Sequence, residues 1–306
     1  MMDFKNFDRI LLYTHGRTLT STRHKIGHID DFICMALGAR FGWSATRLDD
    51  VSPEYVRSQL SRDPYTLNVI TDFIYTPALE EQNVMVFDHH DPEQPTEKCS
   101  AHLLAEELVR QGMLREVPAL MDQISAWDVI GPNAVPVADR PDPDRYTAIL
   151  AAEPNEGFDR KTAEFILMML DRSFSIRQFV NELFESETRF GENARRIHSE
   201  ILAKREEALA KITSGALVQV SPSGVRYATI AQNPAGVLNE LFSRLRVDVL
   251  IHPNERTPNA VSVVRDSNGR YATTPVSELV EVAPEQVVFV HPGGFLLVAH
   301  PPLEIK

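Results

Sequence analysis

The 306-residue chain carries 31 Lys and Arg against 43 Asp and Glu, a formal net charge of −12, with 43% hydrophobic residues, ten His and two Cys. Near-average apolar and charged content excludes a disordered or fibrous chain, and the length fits two domains at roughly 100–150 residues each. Apolar runs such as Phe165 to Leu170 and Phe295 to Ala299 fall far short of the ~20 residues of a membrane-spanning helix, and the acidity argues against nonspecific tracking along long DNA.

Arg9 to Thr14 is short, apolar and β-prone and runs into His15-Gly16, the pattern of a buried strand entering a loop. Thr18 to Ile26 reads as polar loop. Asp30 to Gly42 spaces Phe32, Ile33, Met35, Ala36, Leu37 and Ala39 as a helix, so the loop delivers His28 and Asp30 to a helix N-terminus. Leu67 to Phe73 is a second strand, with Asp72 at its end, and Val84 to Phe87 a third, ending at Asp88-His89-His90. Helical patterns at Pro53 to Leu60 and Ala101 to Gln111 complete a strand–helix alternation, the mark of a mostly parallel sheet flanked by helices. Ligands of such sheets sit at the carboxyl ends of the strands.

Val117 to Asp128 reads as helix and is followed by a Pro- and Asp-rich loop, Pro132 to Pro143. Another helix covers about Arg160 to Leu170. Ser175 to Ile212 has a heptad-like stripe through Phe179, Leu183, Phe190, Ala194, Ile197, Ile201 and Ala208, read as one long bridging helix with a solvated face. From Gly215 the period changes to two: Leu217 to Val220, Val225 to Ile230, Val247 to His252, Asn259 to Arg265 and Val287 to Val290, with Asp266-Ser267-Asn268-Gly269 as a hairpin signal. The expected fold class is α/β, with a first domain over residues 1–172, a linking helix over 173–213 and a smaller α+β domain with an antiparallel sheet over 214–306.

A lone His has many uneventful explanations, but here His28-x-Asp30, Asp72, Asp88-His89-His90 and Asp128 can all converge on one sheet edge. Several carboxylates in one cleft repel each other unless cations neutralise them. Mixed imidazole and carboxylate donors without thiolates suit Mn²⁺, Fe²⁺, Co²⁺ or Zn²⁺ better than Ca²⁺, with Mg²⁺ a further option, and a carboxylate between two ions can bridge them. Two divalent ions roughly 3.5–4 Å apart activate water and stabilise the leaving oxygen of a phosphoryl displacement. Phosphoester hydrolysis is the chemistry this donor set points to.

Phe87-Asp88-His89-His90, with His28-x-Asp30-Asp31 upstream, the Asp-ended strand at Asp72 and Asp128 downstream, resembles the DHH phosphoesterase superfamily. Within it the chain looks most like the melanocyte proliferating gene (Myg) family, through Thr14-His15, His28-Ile29-Asp30-Asp31-Phe32, Lys98-Cys99-Ser100-Ala101 and Phe289-Val290-His291-Pro292-Gly293-Gly294-Phe295. The resemblance implies one metal, with Mn²⁺ the leading choice, held by His15, His28 and Asp72, and a second held by Asp30, Asp72, His89 and Asp128. Asp88 would orient an imidazole, His90 would face the phosphate, and Ser100 would contact substrate. Two departures stand out: the segment between His15 and His28 is longer than the family's, so that His24 is an alternative to His15, and Asp31 replaces the usual Glu.

The same resemblance gives the second domain a substrate grip through His291, Gly293 and Gly294, for which a β-turn is the plain alternative. Arg256 belongs to a local surplus with Arg244, Arg246, Arg265 and Arg270 that could bind a short polyanion or simply line a solvated sheet. Trp127 could stack on a base or pack beneath the Asp128 loop. The implied activity is a 3′–5′ exonuclease on short single-stranded RNA or DNA, releasing nucleoside monophosphates. The alternatives are a phosphatase or phosphodiesterase of bisphosphonucleosides, cyclic dinucleotides or pyrophosphate, and a catalytically silent binding module. Met1 to Asn6 carries Asp3 and Lys5 without the apolar stretch of a secretory signal, and Cys34 and Cys99 cannot build a disulfide framework. A cytoplasmic protein with no membrane partner is expected, and the long helix leaves room for a homodimer.

Overall fold

In the computed structural model the described residues are 2–18, 25–26, 28–50, 52–73, 83–90, 96–153, 157–234, 237–254, 257, 259–291, 294–299 and 303–306. They form two compact units, residues 1–201 and 202–306.

The first unit is built on strands β1 (Arg9–His15), β4 (Ser44–Leu48), β5 (Thr66–Thr71) and β6 (Val84–Phe87), all parallel, in the order β4-β1-β5-β6. A two-residue pair, β2 (Arg17–Thr18) and β3 (Lys25–Ile26), closes the excursion that follows β1, where the sequence reads as plain loop. Parallel strands need crossovers, which bury both sheet faces. β5 is accordingly buried along its whole length. On one face Leu12, Leu67 and Val69 pack under α1 (Ile29–Arg40), and on the other Tyr13, Ile70, Phe73 and Val84 pack with Val56 of α2 (Pro53–Gln59). α1 is buried on all sides from Ile29 to Ala39, and the helices α3 (Ser100–Arg110), α4 (Met121–Ser125), α5 (Pro143–Ala151) and α6 (Arg160–Arg172) enclose the core around it. β4 and α5 are not signalled in the sequence reading. The expected helix to Asp128 stops at Ser125, and Ala126–Ile130 continues as one π-helical turn.

The stretch read as one long helix is two, α7 (Ile176–Glu185) and α8 (Arg189–Ser214). Local hydrogen bonding outcompetes the stripe at the break. Ser186 turns extended and its hydroxyl donates to the Leu183 carbonyl at 2.8 Å, while Thr188 Oγ1 accepts the Gly191 N–H at 3.1 Å. Only glycine fits at 191, because a Cβ there would run into the Ser186 carbonyl oxygen. The division between the two units falls within α8.

The second unit holds β7 (Leu217–Val220), β8 (Arg226–Thr229), α9 (Leu238–Leu245), β9 (Val249–Pro253), β10 (Ala260–Arg265), α10 (Val276–Leu279), β11 (Val280–Glu281), β12 (Val287–His291), β13 (Phe295–Ala299) and β14 (Glu304–Ile305). Its six-stranded sheet runs β12-β13-β10-β9-β8-β7, and β11 pairs with β14. It is mixed, where an antiparallel sheet is expected: β8 and β9 are parallel because α9 returns the chain between them. Nor does Asp266 to Gly269 make a hairpin, since β10 pairs with β9 and with the distant β13. Among the described residues no helix is long and apolar enough to cross a membrane.

Candidate metal centre

With all four strands of the first sheet parallel, their carboxyl ends share one edge. β1 has β4 on one side and β5 on the other, so the chain's crossovers diverge there and leave a crevice between the ends of β1 and β5. His15 is the last residue of β1, Asp72 follows β5, and Asp88-His89-His90 follow β6. α1 begins at the same edge, with His28 as its N-cap and Asp30 and Asp31 in its first turn. Asp128 arrives from the π turn. The register that aligns Thr14 with Thr71, and Thr71 with Phe87, fixes the height of three of these groups. Asp72 has φ +58°, a left-handed conformation that Asp and Asn tolerate best among non-glycine residues, and it turns the chain out of the sheet.

The side chains meet around Asp72. His28 Nδ1 lies 3.6 Å from Asp72 Oδ2 and 3.7 Å from Asp128 Oδ1. His89 places Nδ1 3.7 Å from Asp72 Oδ1 and Nε2 3.7 Å from Asp128 Oδ2. His90 Nδ1 is 2.8 Å from Asp88 Oδ1 and 3.7 Å from Asp72 Oδ1, and the His89 and His90 rings stack with centroids 3.9 Å apart. The His15 and His28 rings meet edge-on at 5.8 Å. Asp30 is fully buried. Its Oδ1 accepts the Asp31 N–H at 2.8 Å, and the Ser100 backbone N–H at the start of α3 also donates to it. Ser100 Oγ is 3.4 Å from His89 Nδ1.

Burial and crowding set the charge states. Burial first, then the charges of Asp31 and Asp128, hold the Asp30 carboxyl well above its ordinary value. Asp72 is pushed up to about 12 by burial and by Asp30, Asp31 and Asp128, and Asp128 to about 7 by burial and Asp31, against some relief from His90. His89 is pushed down to about 4, chiefly by burial and by His90 and His28, which leaves it neutral at pH 7 and able to ligate. Among the described residues, the basic groups within ion-pair range of Asp72 and Asp128 are histidines.

Four carboxylate oxygens here, Asp30 Oδ2, Asp72 Oδ1, Asp88 Oδ2 and Asp128 Oδ2, are buried without a hydrogen-bond partner. A buried, unpartnered acceptor costs ~1–3 kcal/mol, more when charged, and four of them on residues of one sheet edge call for a cation. The donor atoms fall into three overlapping groups, each spanning no more than 4.8 Å: His28, Asp30, Asp72 and Asp128; Asp72, Asp88, His89 and His90; and His15, Asp31 and Asp72. The residues present therefore fit divalent cations, with Asp72 common to every group. Members of the sets that the resemblance implied also lie close, His89 being 3.7 Å from both Asp72 and Asp128. His28 stands with Asp30 and Asp128, His89 with Asp88 and His90, and His15 with Asp31.

All of His15, His28, Asp30, Asp72, Asp88, His89, His90, Asp128 and Ser100 converge on this edge. His24, Gly293 and Arg256 lie outside the described residues. His291 ends β12 in the second unit. Gly294, with φ +97°, packs so tightly on Arg265 that a Cβ would come within 2.8 Å of its Nε. Arg244 of the basic surplus is committed to the Glu206 carboxylate, 2.7 Å from Oε1. The sequence reading gave no task to Asp31 or Tyr146. The Tyr146 phenol, raised by burial, accepts hydrogen bonds from the Trp127 indole and the Ile29 backbone N–H, so Trp127 packs beneath the Asp128 turn. Asp31 sits three residues after the N-cap, a position whose reciprocal capping role is legible in sequence. Cys34 and Cys99 are buried thiols pushed up by burial and nearby carboxylates, unsuited to nucleophilic work.

No family model matches the chain, and no curated protein matches it. Solved structures do. A pGpG-specific phosphodiesterase, PggH, from Vibrio cholerae aligns over 95% of this chain and 94% of its own at 13% identity and TM-score 0.38. The DHH domain of a member of the s1p family of ribosomal proteins aligns over 97% and 84% at 16% identity and TM-score 0.34. RecJ from Thermus thermophilus, solved with Mn²⁺, aligns over 95% of this chain and 49% of its own at 15% identity and TM-score 0.31. At TM-scores below 0.5 these are likenesses only, and the chemistry of the site is carried by its own side chains.

Proposed function

We propose that this protein is a phosphodiesterase dependent on two divalent metal ions, of the DHH type and closest to the Myg family, acting as a 3′–5′ exonuclease on short single-stranded RNA or DNA. The observation that carries the proposal is the set of four orphaned buried carboxylate oxygens, on Asp30, Asp72, Asp88 and Asp128. His28, Asp30, Asp72 and Asp128 would hold one ion, and Asp72 with Asp88 and His89 the other, with His15 a further donor beside Asp72, Mn²⁺ being the leading candidate. Bound ions would supply Lewis-acid activation of water and of the phosphoryl group.

The chain's own groups then divide the remaining work. Asp88 accepts the His90 backbone N–H at 3.0 Å and stands 2.8 Å from its Nδ1, which fixes the ring and leaves Nε2 to donate to a phosphate oxygen or the leaving oxygen. His90 is suited to this because its side chain is 42% exposed, while that of His89 is only 8% exposed. Ser100 Oγ and the α3 N-terminus brace His89 and Asp30. The basic and glycine-rich residues of the second unit, His291 and Gly294 among them, would grip the nucleotide end.

A second reading, hydrolysis of small nucleotides or pyrophosphate, is favoured by the net charge of −12, which disfavours long polyanions. One panel separates the two. With Mn²⁺ present, 5′-labelled RNA and DNA of two to twenty nucleotides, cyclic dinucleotides, a 3′,5′-bisphosphonucleoside and pyrophosphate are offered to the protein. Mononucleotides released stepwise from the 3′ end support the exonuclease, orthophosphate or linear dinucleotide supports the second reading, and no cleavage of any substrate refutes both.

A further inference from the structure

Asp31 is buried to 0% exposure, and both of its oxygens are already occupied. Oδ1 accepts the Thr14 hydroxyl and, at 3.1 Å, the His15 backbone N–H. Oδ2 accepts the His28 backbone N–H at 2.8 Å. Thr14 and His15 close β1, and His28 caps α1, so one carboxylate joins the end of a strand to the start of a helix. Twelve residues separate His15 from His28. The β2–β3 pairs Arg17 with Ile26 and Thr18 with Lys25 hold the neck of that excursion two residues away from each histidine, and Asp31 adds a link at the histidines themselves.

We propose that Asp31 is a positioning residue, which fixes the spacing of His15 and His28 at the centre instead of ligating a metal itself. The proposal rests on the metal-centre reading above. Its chemical ground is the donor count: two N–H groups and a hydroxyl take three of the carboxylate's roughly four lone-pair directions, so a cation at these oxygens competes with donors already in place. Its geometric ground is that the His15 and His28 rings stand 5.8 Å apart, and among the described residues the one carboxylate that bonds the backbone of both is that of Asp31.

Asp31→Asn keeps the size but sets an amide NH₂ against one of the donors, opening the link to His28 or to β1. Two measurements on the full chain test the idea. In metal-free protein, hydrogen exchange at the His15 or the His28 amide, whichever faces the new NH₂, should accelerate at least ~10-fold in D31N, while the Val69 amide in β5 keeps its protection. In Mn²⁺ titrations followed by electron paramagnetic resonance, D31N should bind ~10–100-fold more weakly at unchanged stoichiometry, the size typical of groups that orient ligands. His15→Ala should then cost D31N much less than it costs the wild type, because both changes disable the same ligand. Lost stoichiometry with additive H15A would make Asp31 a ligand and overturn the proposal, as would wild-type exchange and affinity. A wild type that binds no Mn²⁺ sinks the metal reading, and the exchange arm still decides on the clamp. Should D31N not fold, Asp31→Glu, which keeps both acceptors one methylene further out, serves in both measurements with the same direction and a smaller effect.

Discussion

Replacing Asp72 by Asn should make the metal-free protein more stable and the metal-loaded protein inert. Asn preserves the shape and tolerates the φ of +58° at this position, where Ala would add backbone strain. In the metal-free fold burial and the neighbouring carboxylates push the Asp72 carboxyl far above its ordinary 3.8, so folding at pH 7 must load a proton onto it, at about 4 kcal/mol. Asn needs no proton. A group raised in the folded state contributes its stability below its unfolded value and loses it as pH rises toward the folded one, so the advantage of D72N shrinks to about 2 kcal/mol at pH 5. For a unit of about 200 residues, 4 kcal/mol corresponds to roughly 10 °C in Tm. Wild type with Mn²⁺ at about 100 times its Kd should regain about 2.7 kcal/mol, whereas D72N should show no Mn²⁺-dependent shift and at least ~100-fold less hydrolysis. Thermal melts in EDTA and in Mn²⁺, at pH 5 and pH 7, read all of this. A D72N protein that melts below wild type in EDTA at both pH values, or that retains the full Mn²⁺ shift, would refute the electrostatic account of the site.

Mn²⁺ affinity should fall as pH drops below about 7, where Asp128 takes up its proton, by close to tenfold per pH unit for each proton displaced; a flat isothermal titration profile between pH 5.5 and 7.5 contradicts this. Arg47 and Glu153 form a buried ion pair with side chains 2% and 1% exposed, so Arg47→Met alone should cost about 3–5 kcal/mol by stranding the carboxylate, and the double variant R47M/E153L should recover most of it in urea unfolding. Gly191→Ala drives a Cβ into the Ser186 carbonyl and should cost about 1–3 kcal/mol, against the gain normal for Ala in a helix, as read by chemical denaturation. Asp159→Ala removes the α6 N-cap that accepts the Thr162 N–H at 3.0 Å, with an expected loss of about 1 kcal/mol in the same assay.

What the sequence determined by itself is what local pattern encodes. Strand β1, the strand before Asp72 and the strand before Asp88 are short apolar runs, and α1 carries a helical apolar spacing, so the strand–helix alternation and the arrival of His15, Asp72 and Asp88-His89-His90 at one sheet edge were legible. So was the chemical character of the cluster, because carboxylates and imidazoles without thiolates admit few explanations when they share an edge. The sequence did not reveal β4, whose alternation over Ser44–Leu48 is too short to stand out, nor α9, whose presence makes β8 and β9 parallel. It also joined α7 to α8, since the hydrophobic stripe continues past Ser186 while the break is set by hydroxyl-to-backbone bonds and by a glycine contact. The tertiary structure alone decided which candidate donors stand together, because distances between side chains on different elements depend on strand register, on the π turn that carries Asp128 and on the left-handed turn at Asp72. It also decided the work of Asp31, whose three donors come from residues 3, 16 and 17 positions away. Sequence spacing constrains the nearest of these, and only folding brings the other two within reach of one carboxylate.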